Sequence, residues 1–261
     1  MTRLQPSRFI DLSKEIVENR ADPFFMKVKV KHYSHGRARW LVRMLGLPFR
    51  LFPQDFAGWA DDTITRLGVH STTHIDAPWH YGPTDAEGRK LPTIEQMPLD
   101  LMFGAGVVLD MSHKRDGEEI EVADLQGSLA ATGATLARGT IALIRTGRDR
   151  YQGQADYWKR GTGVGPSATE WLIDQGVKVM GIDQWGWDLP FHHQIRRSRA
   201  ENRNDLFWSG HLVGRRKPYW HIEQLRGLEL LPAHGFDVGV FPLRLQNASA
   251  APARVVAFFY D

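Results

Sequence analysis

The chain has 261 residues, 42% of them hydrophobic and 24% charged. That is the balance of an ordinary globular protein, and it excludes a disordered tail, a coiled coil or a collagen-like repeat. Lysine and arginine number 33 against 30 acidic residues, for a net charge of +3, too small by itself to indicate a nucleic-acid or membrane surface. Cysteine is absent, so disulfides, iron–sulfur clusters and thiolate zinc sites are excluded, and any metal must be held by His, Asp, Glu or similar ligands.

In chain order, residues 1–16 contain no apolar run of signal-peptide length. No window approaches the roughly 18 apolar residues needed to span a bilayer, and a cytoplasmic location is the default expectation. Phe9, Ile10, Asp11 and Leu12 read as an opening strand. Residues 26–33 alternate apolar side chains with Lys27, Lys29 and Lys31, the pattern of a half-exposed strand. Residues 35–50 are basic and amphipathic; Trp40, Leu41 and Met44 fit one helical face, and Gly46 and Pro48 would stop the helix. Further on, 106–110 reads as a buried strand, 122–131 as a helix, and 141–146 as a strand closed by Gly147. Ser167 and Glu170 have capping-box spacing for a helix through Asp174, with Gly176 placed to end it. Residues 177–182, 238–243 and 255–259 complete a set of β-branched strands, and 196–203 reads as a flexible loop. Strands mixed with isolated helices predict an α/β or α+β domain.

The chemistry concentrates in residues 69–81. His70, His74, Asp76 and His80 fall within eleven positions and share one parity, so an extended chain would point all four to one side. Thr72, Thr73 and Ile75 favour that conformation, and Pro78 predicts an end or bulge near it. A lone buried histidine is usually a hydrogen-bonded core residue. Three with an aspartate, in a chain without cysteine, point instead to a divalent cation such as Zn²⁺, Mn²⁺ or Fe²⁺.

These residues resemble the signature of the metal-dependent cyclase family, which includes bacterial kynurenine formamidases, isatin hydrolases and trans-dienelactone hydrolases. The family pattern is His-x-Gly-Thr-His-x-Asp-x-Pro-x-His, matched here at His70, Thr73, His74, Asp76, Pro78 and His80, with Thr72 in place of the glycine. Weaker likenesses follow in order: Asp11-Leu12-Ser13, residues 93–99, 106–110, 143–147, Gly181-Ile182-Asp183, 241–244 and 252–257. The resemblance implies a single α/β domain over 1–261, with a mixed β-sheet core and flanking helices in a swivelling β/β/α arrangement, and a homodimer or homotetramer.

It also implies roles. Family formamidases use a His and, twelve residues later, a Glu, a spacing met here by His211 and Glu223. The metal ligands would then be His70, His74, Asp76, His211 and Glu223, with Asp76 and Glu223 shared between two ions, either Zn²⁺ or Mn²⁺. His80 would be the catalytic acid/base. Without Glu223 the site would hold one ion, as the isatin hydrolases resemble. Segments 24–62 and 185–207 depart from the family and could reshape the pocket; His192 and His193 read as loop residues rather than ligands.

The implied activity is hydrolysis of an amide, a formamide or a cyclic amide, in a small-molecule substrate, by metal-activated water. Cleavage of a lactone is the alternative. Arg215, Arg216, Lys217, Arg196, Arg197 and Arg199 could recognise a substrate carboxylate or form a solvated basic surface, and Trp79, Trp185 or Trp187 could wall an aromatic substrate. No His-Glu-x-x-His and no Gly-x-Ser-x-Gly occurs, which disfavours zinc proteases and serine hydrolases. The expected partner is a small molecule, with no nucleic acid and no membrane. A basic nucleic-acid-binding protein or an inactive metal-binding scaffold are the readings outside catalysis.

Overall fold

The apolar runs become the strands of one eight-stranded sheet in a computed structural model that describes residues 5–260. The chain divides into two compact units, one containing the segment up to Glu15 and everything from Val69, the other Ile16–Gly68. Strand β1 (Arg8–Asp11) belongs to the larger unit.

The smaller unit pairs β2 (Lys29–Tyr33) antiparallel with β3 (Asp61–Arg66), and α1 (His35–Met44) lies between them in the chain. Helix α1 ends two residues before Gly46, as the breakers predict. Its buried residue is Ala38, whereas Trp40, Leu41 and Met44 stay exposed. The unit gains its order from aromatic edge-to-face contacts that run Trp40–Phe49–Phe52–Phe56, and from Arg39, which donates to the Phe56 carbonyl.

The larger unit resumes with β4 (His74–Asp76), α2 (Pro78–Tyr81), β5 (Phe103–Asp110), β6 (Glu119–Ile120), α3 (Val122–Thr132), β7 (Ile141–Arg145), β8 (Gly163–Val164) and α4 (Pro166–Asp174). It continues through β9 (Val179–Ile182), α5 (Phe191–Glu201), α6 (Ser209–Val213), β10 (Trp220–Glu223), β11 (Phe236–Pro242) and β12 (Ala250–Phe259). The sheet order is β1-β12-β11-β5-β7-β9-β10-β4, and β4 also pairs with β12. Seven strands therefore close into a ring, with β1 added outside it on β12. The mixed sheet is as expected: β5, β7, β9 and β10 run parallel, and the remaining pairings are antiparallel. The expected swivelling β/β/α layering is corrected to this barrel-like closure. Sequence periodicity reports which side of a strand is buried, but not which strands meet at the seam.

Alternation along the strands builds two cores. Ile75, Val108, Ile141, Leu143, Val179, Ile222, Val238, Val255 and Ala257 meet inside the ring. Their neighbours Val107, Leu109, Ala142, Ile144, Met180 and Ile182 pack outward with Leu125 of α3 and Ala168, Leu172 and Ile173 of α4. No helix among the described residues is long and apolar enough to cross a membrane.

Two local expectations are overturned. Helix α4 opens with Pro166 in its first turn and Gly165 as cap, so Ser167 is already helical; proline's fixed φ suits that first position. Residues 196–203, expected to be a flexible loop, lie mostly in α5, and His192 and His193 are helical too. Arg197 pairs with Glu201 four residues on and with Glu119. Asn202 then ends the helix in the left-handed conformation, φ 50°. Charge clusters that look mobile in sequence are here pinned by partners of opposite sign.

Asp183, the residue after β9, is buried and accepts hydrogen bonds from Thr146 N, Thr146 Oγ1 and Gly147 N. Burial outweighs these and pushes its carboxyl up to about 6. A carboxyl raised on folding contributes stability that is complete below its unfolded pKa and lost as pH rises through the folded one. The unfolding free energy of the wild type, measured in urea against Asp183→Asn, is therefore expected to fall by on the order of 2 kcal/mol between pH 4 and pH 7. A difference independent of pH would show that the carboxyl ionises normally.

Candidate metal centre

The site begins with the register of a three-residue strand. In β4, His74 and Asp76 point to one face and Ile75 to the other, inside the ring. Strand β10 runs antiparallel to it, pairing Glu223 with His74, Ile222 with Ile75, and His221 with Asp76. Residues directly opposite in such a pair share a face, so two carboxylates and two imidazoles are brought together. On the other flank, Ala250, Ala251 and Pro252 of β12 pair with the same three residues and add only small side chains.

The other motif histidines arrive by different backbone paths. The expected single strand carrying all four is corrected: only His74 and Asp76 are in a strand, His70 sits in a turn, and His80 is in α2. Pro78 occupies the first turn of α2, where proline is pre-organised. The His70 turn is held by Gln224, whose Nε2 donates to the His70 carbonyl at 2.9 Å. The Thr73 hydroxyl donates to the Gln224 carbonyl at 2.6 Å. Thr72, which replaces the family's glycine, is not among the residues with positive φ, so the turn forms without the freedom that glycine provides. His211 lies on α6 and is presented by Asp188, which accepts from the backbone N of Gly210 and His211 and contacts His211 Nδ1.

Distances sort the donors around the two carboxylates. Asp76 Oδ1 lies 3.0 Å from His70 Nδ1 and 3.2 Å from His74 Nε2. Glu223 Oε2 lies 3.5 Å from His74 Nε2. The opposite oxygens face another pair: Asp76 Oδ2 is 3.1 Å from His221 Nε2 and 4.0 Å from His211 Nε2. Glu223 Oε1 is 3.1 Å from His221 Nε2 and 3.7 Å from His211 Nε2. One donor atom each from Asp76, His211, His221 and Glu223 falls within 4.8 Å of the others, and so does one each from His70, Asp76 and His80. His80 Nε2 stands 3.6 Å from Asp76 Oδ2.

His74 and Asp76 are fully buried, yet His74 Nε2 and both Asp76 oxygens have no partner in hydrogen-bond geometry. Orphaned buried polar atoms are costly. Close approach without hydrogen-bond geometry is what ligands of one cation do, because each lone pair aims at the ion. Nitrogen and carboxylate donors in this number suit Zn²⁺ or Mn²⁺. The group could therefore hold a divalent metal ion.

Both carboxylates are held in the ionised form. Burial alone would raise Asp76, but the imidazoles of His80, His70, His74 and His221 hold it well below the usual carboxylate range. Burial likewise raises Glu223, but His221 and His74 together hold it below its usual value. Burial lowers His221, but the two carboxylates lift it to about 9. His80 is pushed down to about 3, chiefly by burial and by the nearby His70 and His211, against the attraction of Asp76.

The structure thus brings together all six expected residues: His70, His74, Asp76, His80, His211 and Glu223. His221 went unread in the sequence, although a period-2 reading of 219–223 would have put it on the face of Glu223. Trp208 was also missed. Its ring stacks on His211 at 4.6 Å and meets His80 edge-on at 5.1 Å. Trp187, a candidate substrate wall, is instead buried beneath the site. It stacks on His221, and its backbone N donates to Glu223 Oε1 at 2.8 Å. Several of the basic residues considered for a substrate carboxylate have other partners. Arg215 donates to the Thr84 carbonyl, Lys217 pairs with Glu170 and Asp174, and Arg197 pairs with Glu119 and Glu201.

Known proteins share this sequence pattern and this fold. The family profile described as "Putative cyclase" matches residues 10–189. A kynurenine formamidase of Geobacillus thermodenitrificans is 26% identical over 196 residues, covering 72% of this chain and 75% of its own. An isatin hydrolase of Roseibium aggregatum is 24% identical over 202 residues, covering 73% and 72%. A crystal structure of an isatin hydrolase bound to the product analogue thioisatinate superposes with a TM-score of 0.72 at 19% identity, over 97% of this chain and 93% of that one. The profile match spans well over half the chain and contains the motif from His70 to His80, and on that ground the chain belongs to the cyclase family.

Proposed function

We propose that the chain is a metal-dependent hydrolase that cleaves an amide, a formamide or a cyclic amide, in a small aromatic substrate. The observation that carries this reading is the pair of buried carboxylates, each facing one group of imidazoles with one oxygen and a second group with the other. The names of the relatives, kynurenine formamidase and isatin hydrolase, support the amide bond as target.

A divalent cation such as Zn²⁺ or Mn²⁺ held by these donors would bring the pKa of water toward about 7 and polarise a carbonyl. The chain's own residues do the rest. His70, His74, Asp76, His211 and Glu223 would hold the cation. His74 is fixed for this by its Nδ1, which donates to the Thr72 carbonyl at 2.7 Å and leaves Nε2 as a lone pair. His80 is the proton carrier: it is partly exposed, stands beside both donor groups, and is mounted on a separate short helix. Its Nε2 takes a proton from the attacking water and delivers it to the leaving nitrogen, so that an amide and water become a carboxylic acid and an amine. Trp208 forms an aromatic wall beside His80. It holds φ 58°, a conformation costly for a bulky residue, and Gln194 accepts its backbone N–H at 2.6 Å.

Elemental analysis of protein purified without a chelator is expected to find Zn or Mn near or above one per chain. Asp76→Ala should lose it entirely, since Asp76 contributes an oxygen to each group; metal-free wild type after incubation with Zn²⁺ or Mn²⁺ would refute the reading. On a panel of the formamide of kynurenine, isatin and an aromatic lactone, His80→Ala should keep its metal and lose about 10²–10⁴-fold in kcat. Turnover of the lactone alone would move the activity to ester cleavage. Trp208→Ala should raise KM for the aromatic amide up to about tenfold with a smaller change in kcat; an unchanged KM would remove Trp208 from the substrate wall.

A further inference from the structure

We propose that His221 is a metal ligand, and that with His211, Asp76 Oδ2 and Glu223 Oε1 it forms a four-donor site for a second cation. The inference rests on the metal-dependent reading above and deepens it by a residue outside the sequence motif.

Three observations carry it. The first is placement. His221 is fully buried on β10, in register with Asp76 and two residues before Glu223, so its side chain shares their face by strand alternation. The second is distance. The contacts among the four donors given above span 3.1–4.0 Å. Donors bound tetrahedrally at about 2.0–2.2 Å from one ion lie roughly 3.4 Å apart. The neighbouring group takes the other two oxygens, Asp76 Oδ1 and Glu223 Oε2, so the carboxylates divide oxygen by oxygen and neither atom is asked to serve twice.

The third is the far side of the ring. His221 Nδ1 lies 3.2 Å from both the Tyr81 and Tyr219 hydroxyls. Tyr219 spends its own proton on the Gly210 carbonyl, at 3.2 Å, so toward His221 it can only accept. With the Nδ1 hydrogen directed at Tyr219, Nε2 is the nitrogen aimed at the two carboxylates, 3.1 Å from Asp76 Oδ2 and 3.1 Å from Glu223 Oε1. That approach is balanced either by a proton on Nε2, hydrogen-bonded to Glu223 Oε1, or by a cation among the donors. The ring plane is fixed by stacking on Tyr81 and Trp187, each at 5.3 Å between centroids. Gly214 permits the packing of Tyr81, since a Cβ there would come within 2.2 Å of its ring. An oriented imidazole whose second nitrogen is held by an acceptor is the arrangement of a ligating histidine.

The competing account makes His221 an imidazolium that clamps the two carboxylates and binds no metal. Titration of metal-free protein with Co²⁺, followed by visible absorption and by metal analysis after gel filtration, separates the two. The wild type is expected to take two ions. His221→Ala should retain the first at unchanged affinity, weaken the second by about 100-fold, and lose part of the visible band; Tyr81→Phe with Tyr219→Phe should weaken the second by about tenfold. Two ions bound by His221→Ala with unchanged affinity and spectrum would overturn the assignment and leave the hydrolase reading standing. No ion bound by the wild type would overturn both, and a single ion would overturn this one. Should the alanine variant fail to fold, ¹⁵N spectra of the wild-type histidines decide: Zn²⁺ is expected to move His221 Nε2 to a coordinated shift, and an imidazolium shift that persists at saturating Zn²⁺ would overturn the proposal.

Discussion

The pairing of β4 between β10 and β12 is the constraint on which the rest depends. Three residues make this strand, too few to hold themselves. It survives because both edges are paired and because Ile75 is wholly buried against Ile222 and Ala251 in the ring interior. The same pairing closes the sheet, which removes two open edges. It also fixes which residues meet. A slip of one position would turn Ile75 toward the imidazoles and drive His74 and Asp76 into the apolar interior. Closure of the barrel and assembly of the site are one event.

That event concentrates charge where the solvent cannot screen it. Asp76 is fully buried and Glu223 nearly so, and two carboxylates on one dry face repel unless compensated. Five imidazoles surround them, from a turn, a strand, two short helices and a second strand. Most have a nitrogen away from the carboxylates that meets a group able to orient it: the Thr72 carbonyl for His74, Asp188 for His211, the Tyr81 and Tyr219 hydroxyls for His221, and Ser249 Oγ at 3.4 Å for His70. His80 is the exception, bounded by rings rather than by an acceptor. A ligand needs a fixed ring; a proton carrier needs one that can exchange its proton. The contrast separates holding from reacting within a single cluster.

Backbone strain is spent at the same place. Gln224 at φ 58° and Trp208 at φ 58° are both left-handed without being glycine. Gln224 follows Glu223 directly and ties the end of β10 to the His70 turn. Trp208 precedes α6 and lays its ring on His211. Such conformations persist only where neighbours over-determine them, and they cluster at functional sites. The smaller unit keeps its own economy of aromatic contacts around β2, α1 and β3, and none of the site residues comes from it.

Much of this was legible in the residues themselves. The spacing of His70, His74, Asp76 and His80 marked a metal-binding stretch without any fold, because few other uses bring three imidazoles and a carboxylate into eleven positions. Most strands and helices α1 and α3 followed from periodicity, since burial on one face imposes it locally. Family likeness, not spacing, supplied His211 and Glu223. Three things required the tertiary structure. The closure of the ring depends on β4 meeting both β10 and β12, a contact between segments nearly 150 residues apart in one case and 175 in the other. The order in 196–203 depends on Glu119, which is distant in the chain. His221 joins the site only through its register with Asp76. Local sequence determines what a segment prefers and what chemistry it carries; which carboxylate faces which imidazole is decided by strand register, and register is a property of two segments at once.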